Sequence, residues 1–285
     1  MKLPVLATVR EAFVFLWQRR STFWSLVIPG IVFLSILGVL SIWLTWFVSG
    51  SPESFSEFVG TRQHRLDPNN FGFVIVAVLV DAVAYCAFVI LYSVAWHRAY
   101  LLPDESVTIG SAYRWRMRQT RFLFNYVKIF LAILAIMLFF WVAVAGIGPM
   151  VMAFGIPQLL ILFQIAYLIV AGLVFARSSL LFPATAVDQH VDLAKGWAMS
   201  NGNSWRLFFI ILFVGLPIWL ISVPANVLIT FAWFGTSIGA SLTGNLILTL
   251  IYHFLAFIGI AVGVTALSIS YQRLTLAAAM PEPDA

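Results

Sequence analysis

The chain has 285 residues, of which 16 are Lys or Arg and 11 are Asp or Glu, and 62% of its residues are hydrophobic. Charged residues make up 9% of the chain, against about a quarter of a soluble globular protein. Several apolar runs also exceed the ~20 residues that a helix needs to cross a bilayer. This composition excludes a soluble domain and a disordered chain, and the single cysteine, Cys86, excludes a disulfide-stapled secreted scaffold.

Six apolar segments predict an all-α polytopic membrane protein with six transmembrane helices. The predicted spans are 22–48, 71–96, 122–145, 157–176, 207–234 and 246–271. The first of them is too long for the core of a signal peptide and lacks a small-residue cleavage site after it, so we keep it as structure. We assign the whole chain, 1–285, to a single membrane domain that ends in a short disordered tail at 277–285.

The basic residues predict the orientation of these spans. Almost all of them lie before the first span, between spans two and three, between spans four and five, and after span six. They are Lys2, Arg10, Arg19, Arg20, Arg98, Arg114, Arg116, Arg118, Arg121, Arg177, Lys195, Arg206 and Arg273. The alternate segments contain only Arg62 and Arg65, so the positive-inside rule places both termini in the cytoplasm. Lys128 lies just inside span three, close enough to the cytoplasmic face for its stem to snorkel back.

Three segments on the cytoplasmic side share one pattern. Thr8, Thr108 and Asp192 are residue types that cap helix N-termini, and each is followed by apolar residues at helical spacing. These apolar residues are Val9, Ala12, Phe13, Leu16 and Trp17, then Ile109, Ala112, Tyr113 and Met117, then Leu193, Trp197 and Ala198. Short, one-sided helices of this kind are typical of the headgroup layer, so we predict three cytoplasmic-face amphipathic helices.

The cytoplasmic ends of spans two, four and six are also alike. Arg98, Arg177 and Arg273 each stand three residues before a leucine and several residues before a proline. The pattern indicates a three-fold internal repeat, in which each unit is an interfacial helix followed by a transmembrane hairpin. The candidate units are 5–103, 104–183 and 190–276. Helical hairpins with basic ends show a similar periodicity of charge without any repeat, so both interpretations stay open.

The same three arginines are candidates for contact with lipid headgroups or another anionic ligand. A cation at a helix C-terminus complements the helix dipole and can reach lipid phosphate. Simple anchoring and recognition of a specific anionic lipid are both compatible with their positions.

A polar cluster is predicted near the middle of the membrane. Asp81 lies about ten residues from the outer end of span two, which corresponds to ~15 Å and nearly half the bilayer. An ionised carboxylate there costs on the order of 3 kcal/mol, so we expect Asp81 to be neutral, paired or exposed to water. Its predicted companions are Tyr85, Gln164, Asn226, Tyr252 and His253. The cluster could relay protons or bind a polar solute, or its hydrogen bonds could hold the helices together.

Enzyme signatures are missing or out of context. The run from Gly235 to Gly239 matches G-x-S-x-G, but it falls in a predicted outer loop rather than between a strand and a helix. An intramembrane serine protease pairing Ser237 with His253 would need a G-x-S-G spacing, which is missing. The sequence contains no H-E-x-x-H, no clustered Cys/His metal site and no P-loop. We therefore predict no catalytic residue, no metal site and no cofactor.

Two segments at the cytoplasmic face carry a family resemblance. They are Arg-Ser-Ser-Leu-Leu-Phe-Pro-Ala-Thr-Ala-Val-Asp at 177–188 and Gly-Trp-Ala-Met-Ser-Asn-Gly-Asn-Ser-Trp-Arg-Leu-Phe at 196–208. They resemble a segment of a poorly characterised family of bacterial inner-membrane proteins, similar to the membrane domain attached to some glycerophosphodiester phosphodiesterases. The resemblance implies a bacterial inner-membrane protein with this segment at the cytoplasmic face. It implies no hydrolase activity, because the soluble phosphodiesterase barrel of the fused members is absent from the sequence.

These observations favour a non-enzymatic inner-membrane protein that acts as an accessory, lipid-associating or structural subunit. Its expected partners are membrane lipids, including anionic ones, and either another protein or a second copy of the chain, but not nucleic acid. The alternative is a small-solute transporter or channel with an intramembrane site at Asp81 and His253. Three hairpins are similar in outline to mitochondrial carriers, but the Pro-x-acidic-x-x-basic signature of that family is missing.

Overall fold

The computed structural model describes residues 2–49, 71–156, 158–235 and 242–279. Regular structure in these residues is entirely α-helical. The helices are α1 (Val5–Gln18), α2 (Arg20–Ser49), α3 (Phe71–Leu101), α4 (Ile109–Ala112), α5 (Met117–Ala153), α6 (Gln158–Ser178), α7 (Leu181–Ala186), α8 (Leu193–Met199), α9 (Ser204–Gly235) and α10 (Leu242–Ala279). Six of them, α2, α3, α5, α6, α9 and α10, are long and apolar enough to cross a membrane. The predicted all-α polytopic fold with six membrane-spanning helices is therefore confirmed.

The long helices extend beyond the predicted spans. For example, α5 begins at Met117 rather than at 122 and continues to Ala153 rather than to 145. Its first turn is stabilised by a polar cap, because the backbone N–H of Arg116 donates to Oε1 of Gln119 at 3.0 Å. Helical hydrogen bonding therefore continues through the polar residues that flank the apolar run.

The six long helices form a closed ring. Each contacts the next one along the chain, and α10 contacts α2. A further contact between α3 and α10 crosses the ring, and α7 packs against α3, α5 and α10. All six residues of α7 are buried, so this short helix fills the space between the ends of those three helices.

One end of the ring carries α1, α4, α7 and α8 together with the side chains of Arg98, Arg177 and Arg273; we call it the basic end. At this end the predicted apolar stripe of α1 packs against α9 and α10. Ala12 is fully buried and Phe13 packs against the same core, whereas Trp17 is 71% exposed. Most of the stripe thus covers protein, and Trp17 is left at the outer edge.

Two of the three predicted N-caps are confirmed. The side chains of Thr108 and Asp192 each accept a hydrogen bond from the backbone N–H three residues later, at 3.3 and 2.7 Å. The expectation for Thr8 is wrong, because α1 already begins at Val5 and the Thr8 hydroxyl donates back to the carbonyl of Pro4 at 2.8 Å. The second amphipathic helix, α4, is a single turn that ends at Ala112, and Met117 of its predicted stripe instead begins α5 after the cap at Arg116.

Candidate functional site

A cavity of about 350 Å³ lies between α2, α3 and α10, within their membrane-spanning parts. Its lining residues are Leu34, Gly38, Asp81, Ala82, Tyr85, Thr249, Tyr252 and His253. The structure thus brings together four of the six residues of the predicted polar cluster, and we call this space the Asp81 cavity.

Two serines of α2 provide hydrogen-bond partners for the ionisable groups of this cavity. Ser41 Oγ donates to Asp81 Oδ1 at 2.9 Å. Ser35 Oγ lies 3.4 Å from Nδ1 of His253. Sequence reasoning missed both serines, although a hydroxyl in an apolar helix is the usual partner for an intramembrane polar group.

Aromatic rings surround the imidazole. The ring of His253 stacks on that of Tyr85 with centroids 6.0 Å apart, and it meets the ring of Tyr252 edge-on at 5.8 Å. A carboxyl group, an imidazole and two phenols around one cavity can exchange protons or hold a polar solute. The serine contacts equally satisfy a purely structural role for Asp81 and His253.

One member of the predicted cluster, Gln164, does not line this cavity. Gln164 is exposed on α6, which packs against α5 and α9 on another side of the ring. The side chain of Asn226 lies outside the described residues, as do Ser237, Arg62 and Arg65.

The arginine at the end of α3 is held by protein acceptors at the basic end. Arg98 Nη1 donates to the carbonyl of Ala186 at 2.9 Å, and the guanidinium pairs with Glu105 and, at 3.3 Å, with Asp188. Asp188 also pairs with Arg118 at 3.3 Å, so one carboxylate joins two cations.

The arginine at the end of α6 is held by α8. The guanidinium of Arg177 lies 4.2 Å from the centroid of the Trp197 ring, a cation–π contact. It also donates to Ser200 Oγ at 3.2 Å and to Asn201 Oδ1 at 2.9 Å.

The arginine at the end of α10 is held by α1. Arg273 donates to Thr8 Oγ1 and to Glu11 Oε2, both at 2.6 Å. Each of the three candidate arginines therefore reaches from the end of a hairpin to the segment that precedes the next one, and the last returns to the first. Protein acceptors engage all three guanidinium groups, and their contact with lipid headgroups stays a prediction.

A second cavity, of about 560 Å³, lies between α6 and α9 at the basic end. Its lining residues are Val170, Leu173, Val174, Arg177, Trp197, Gly202, Ser204, Trp205 and Arg206. Sequence reasoning proposed only Arg177 of this set as a ligand contact, and it named Trp197 and Arg206 for their place in the membrane topology. The signal that could have identified the rest is the Trp-Arg pair at the start of span five, a combination common where a span meets the headgroups.

A buried polar contact between α3 and α10 was also missed. Trp96 Nε1 donates to the carbonyl of Ala261 at 3.0 Å and to Thr265 Oγ1 at 2.8 Å. The neighbouring His97 is fully buried, with Nδ1 2.7 Å from Ser268 Oγ. Thr265 and Ser268 stand three residues apart on an apolar helix, and this spacing could have indicated a polar interface.

Within the described residues, no group of three or more His, Cys, Asp or Glu side chains could hold a metal ion. Comparison with known proteins gives no family model, no curated protein and no solved structure that matches this chain.

Proposed function

We propose that the chain is a non-enzymatic, lipid-associating protein of a bacterial inner membrane, with both termini in the cytoplasm. The observation that carries this proposal is the cavity between α6 and α9. Val170, Leu173 and Val174 line its membrane side, whereas Arg177 and Arg206 line it at the basic end. This arrangement matches a phospholipid, whose apolar acyl chains would contact the apolar residues and whose anionic phosphate would lie near the arginines.

The aromatic residues of the cavity support this occupant. Trp197 and Trp205 lie beside the arginines, and tryptophan favours the depth at which headgroups meet acyl chains. The Arg177 guanidinium lies over the Trp197 ring, and this cation–π contact can persist while the guanidinium interacts with a phosphate. The cavity volume of about 560 Å³ lies within the range of typical small-ligand sites.

The cytoplasmic orientation and the bacterial inner membrane rest on two sequence observations. Lys and Arg gather at the basic end, and the 177–208 segment resembles a bacterial inner-membrane family. The contacts of Arg98, Arg177 and Arg273 support an anchoring role, since they connect successive hairpins on the side that would face the cytoplasm.

A cavity-filling variant tests the proposal. Leu173→Trp places an indole in the cavity between α6 and α9, and Leu168→Trp places the same group on the outer face of α6, where Leu168 is 57% exposed. Native mass spectrometry of the full chain extracted in mild detergent would count the phospholipids that it retains. We expect the wild type and Leu168→Trp to retain lipid and Leu173→Trp to lose it. A wild type without bound lipid, or equal retention by both variants, would contradict the proposal.

The second candidate function is a proton-coupled solute transporter. The Asp81 cavity favours it, because a carboxyl group and an imidazole line the same cavity in the membrane-spanning region. In proteoliposomes loaded with a pH-sensitive dye, transport predicts a proton flux that Asp81→Asn and His253→Ala each abolish. Asp104→Asn at the basic end serves as the control, since Asp104 is exposed and lies outside that cavity. A flux that all three variants leave unchanged would exclude this mechanism.

A further inference from the structure

A third cavity, of about 680 Å³, opens at the basic end beside the start of α5. Three parts of the chain enclose it: the first turns of α5, the end of α7 with the loop that follows, and the first turn of α8. Its lining residues are Arg121, Phe124, Asn125, Lys128, Thr185, Gln189, His190, Val191, Asp192 and Lys195. We call it the cationic cavity.

The charges around this cavity are unbalanced. Three cations, Arg121, Lys128 and Lys195, line it together with one carboxylate, that of Asp192. The carboxylate caps α8 by accepting from the backbone N–H of Lys195 at 2.7 Å. In the part of the chain that the structure describes, no acidic side chain forms an ion pair with any of the three cations, whereas Arg98, Arg118 and Arg273 all do.

The cations also lie at different depths. Arg121, Asn125 and Lys128 occupy one face of α5, because residues four and seven apart share a helix face. Seven residues of helix place Lys128 ~10 Å farther along the helix than Arg121. The headgroup layer of one leaflet is ~5–7 Å thick, so a separation of ~10 Å is large enough to span that layer.

The remaining lining groups suit an anion with an organic body. Asn125 Nδ2 donates to Thr185 Oγ1 at 2.9 Å, which fixes a polar wall, and His190 adds a further donor or acceptor. Phe124 and Val191 add apolar surface. The volume of about 680 Å³ exceeds what a bare phosphate fills and lies within the range of small-molecule sites.

We propose that the cationic cavity binds a phosphate-bearing ligand, with the guanidinium of Arg121 and the ammonium groups of Lys128 and Lys195 around the phosphate. Arginine offers paired N–H donors that match phosphate oxygens, and lysine adds point charge, so together they supply the charge that the phosphate needs. The phosphate can come from an anionic lipid headgroup or from a soluble phosphate. This inference rests on the proposed lipid-associating function for the lipid source, and it adds a separate site with a stated headgroup chemistry.

Two titrations of the full chain test it and separate the two sources. In the first, the protein in detergent receives phosphatidylglycerol or phosphatidylcholine of equal acyl length, and native mass spectrometry reports binding. In the second, the protein in phosphatidylcholine nanodiscs receives inorganic phosphate, and calorimetry reports binding. We expect roughly tenfold tighter binding of phosphatidylglycerol than of phosphatidylcholine, or saturable binding of inorganic phosphate.

A pair of double variants provides the control. Arg121→Gln with Lys195→Gln removes two charges from the cationic cavity, whereas Lys2→Gln with Arg114→Gln removes two exposed charges outside it. The Arg121 and Lys195 double variant should lose the headgroup preference or the phosphate binding, and the Lys2 and Arg114 double variant should keep it. Thermal unfolding checks that each variant is folded, and Lys128→Met gives an independent test should the first pair fail to fold.

Three results would overturn the inference. The wild type could bind both lipids equally and bind no inorganic phosphate. The Arg121 and Lys195 double variant could keep the wild-type binding, or the Lys2 and Arg114 double variant could lose as much binding as the first one does. The first of these, with lipid still retained between α6 and α9, leaves the proposed function intact. Conversely, the protein could retain no lipid and still bind inorganic phosphate in a way that depends on Arg121 and Lys195. That result would support the inference and contradict the proposed function.

Discussion

Arg273 on α10 donates to Oε2 of Glu11 on α1 at 2.6 Å, and this ion pair links the last membrane-spanning helix to the first helix of the chain. The other carboxylate oxygen of Glu11 accepts from the Tyr100 hydroxyl at 2.9 Å. One carboxylate therefore connects α1, α3 and α10. Because α1 also packs on α9 and α10, its position depends on apolar burial and on this polar contact together.

Glu11→Gln should lower the stability of the folded chain modestly. The substitution removes the ion pair but keeps the size of the side chain. The side chains of Arg273 and Glu11 are 25% and 41% exposed, so solvent screening limits the loss to about 1 kcal/mol. Thermal unfolding in detergent should show a lower midpoint for Glu11→Gln than for the control Asp104→Asn, which changes an exposed acid. Identical midpoints would show that the Glu11–Arg273 ion pair contributes nothing measurable to the stability of the fold.

The positions of both termini can be tested with cysteine labelling. Cys86→Ser removes the single native thiol, and Lys2→Cys or Leu276→Cys then adds one exposed thiol near either end of the chain. We expect a membrane-impermeant maleimide to label both variants in inverted vesicles and neither in intact spheroplasts. Labelling of the two variants from opposite sides would contradict six crossings, since an even number of spans returns the chain to its starting side.

Much of this fold follows from hydrophobic runs and local capping signals. The six spans were predictable because each apolar run is long enough to cross a bilayer and too apolar to be exposed to water. The caps at Thr108 and Asp192 were predictable because they depend only on residues a few positions away. Thr8 shows the limit of this reasoning, since the helix there begins earlier than its best capping residue.

The contact between Trp96 and α10 should contribute measurably to stability. Trp96 is fully buried and its indole N–H has two acceptors, the carbonyl of Ala261 and Thr265 Oγ1. Trp96→Phe keeps a large apolar ring but leaves these acceptors without the indole donor, at a loss of about 1–3 kcal/mol. Trp141→Phe is the matched control, because Trp141 is exposed on α5. Chemical unfolding followed by circular dichroism should separate the two variants, and equal stability would argue against an energetic role for the indole hydrogen bonds.

The candidate sites were less predictable than the fold, for a physical reason. Asp81, Tyr85, Tyr252 and His253 could be grouped because membrane depth restricts where polar residues can meet. Depth alone does not fix which helices are neighbours, and Gln164 therefore falls on another side of the ring. The cationic cavity depends on α5 meeting the loop after α7, a tertiary contact with no local signature in the sequence.

The contact between Tyr113 and α2 predicts a dependence of stability on pH. Tyr113, which follows α4, donates its hydroxyl to the carbonyl of Leu26 on α2. Burial raises the pKa of Tyr113 from its ordinary value of 10.0 to about 12.

The folded chain therefore keeps this proton at a pH where the unfolded chain has lost it. The resulting stabilisation is fully present below pH 10 and is lost as the pH rises through about 12. We expect the wild type to be more stable than Tyr113→Phe at about pH 8, because the variant lacks the hydrogen bond, and the difference to shrink towards about pH 11.5. Unfolding free energies of both proteins in the same detergent would measure it. A difference that stays constant over this interval would mean that the phenol keeps its ordinary pKa and that its ring is not buried against α2.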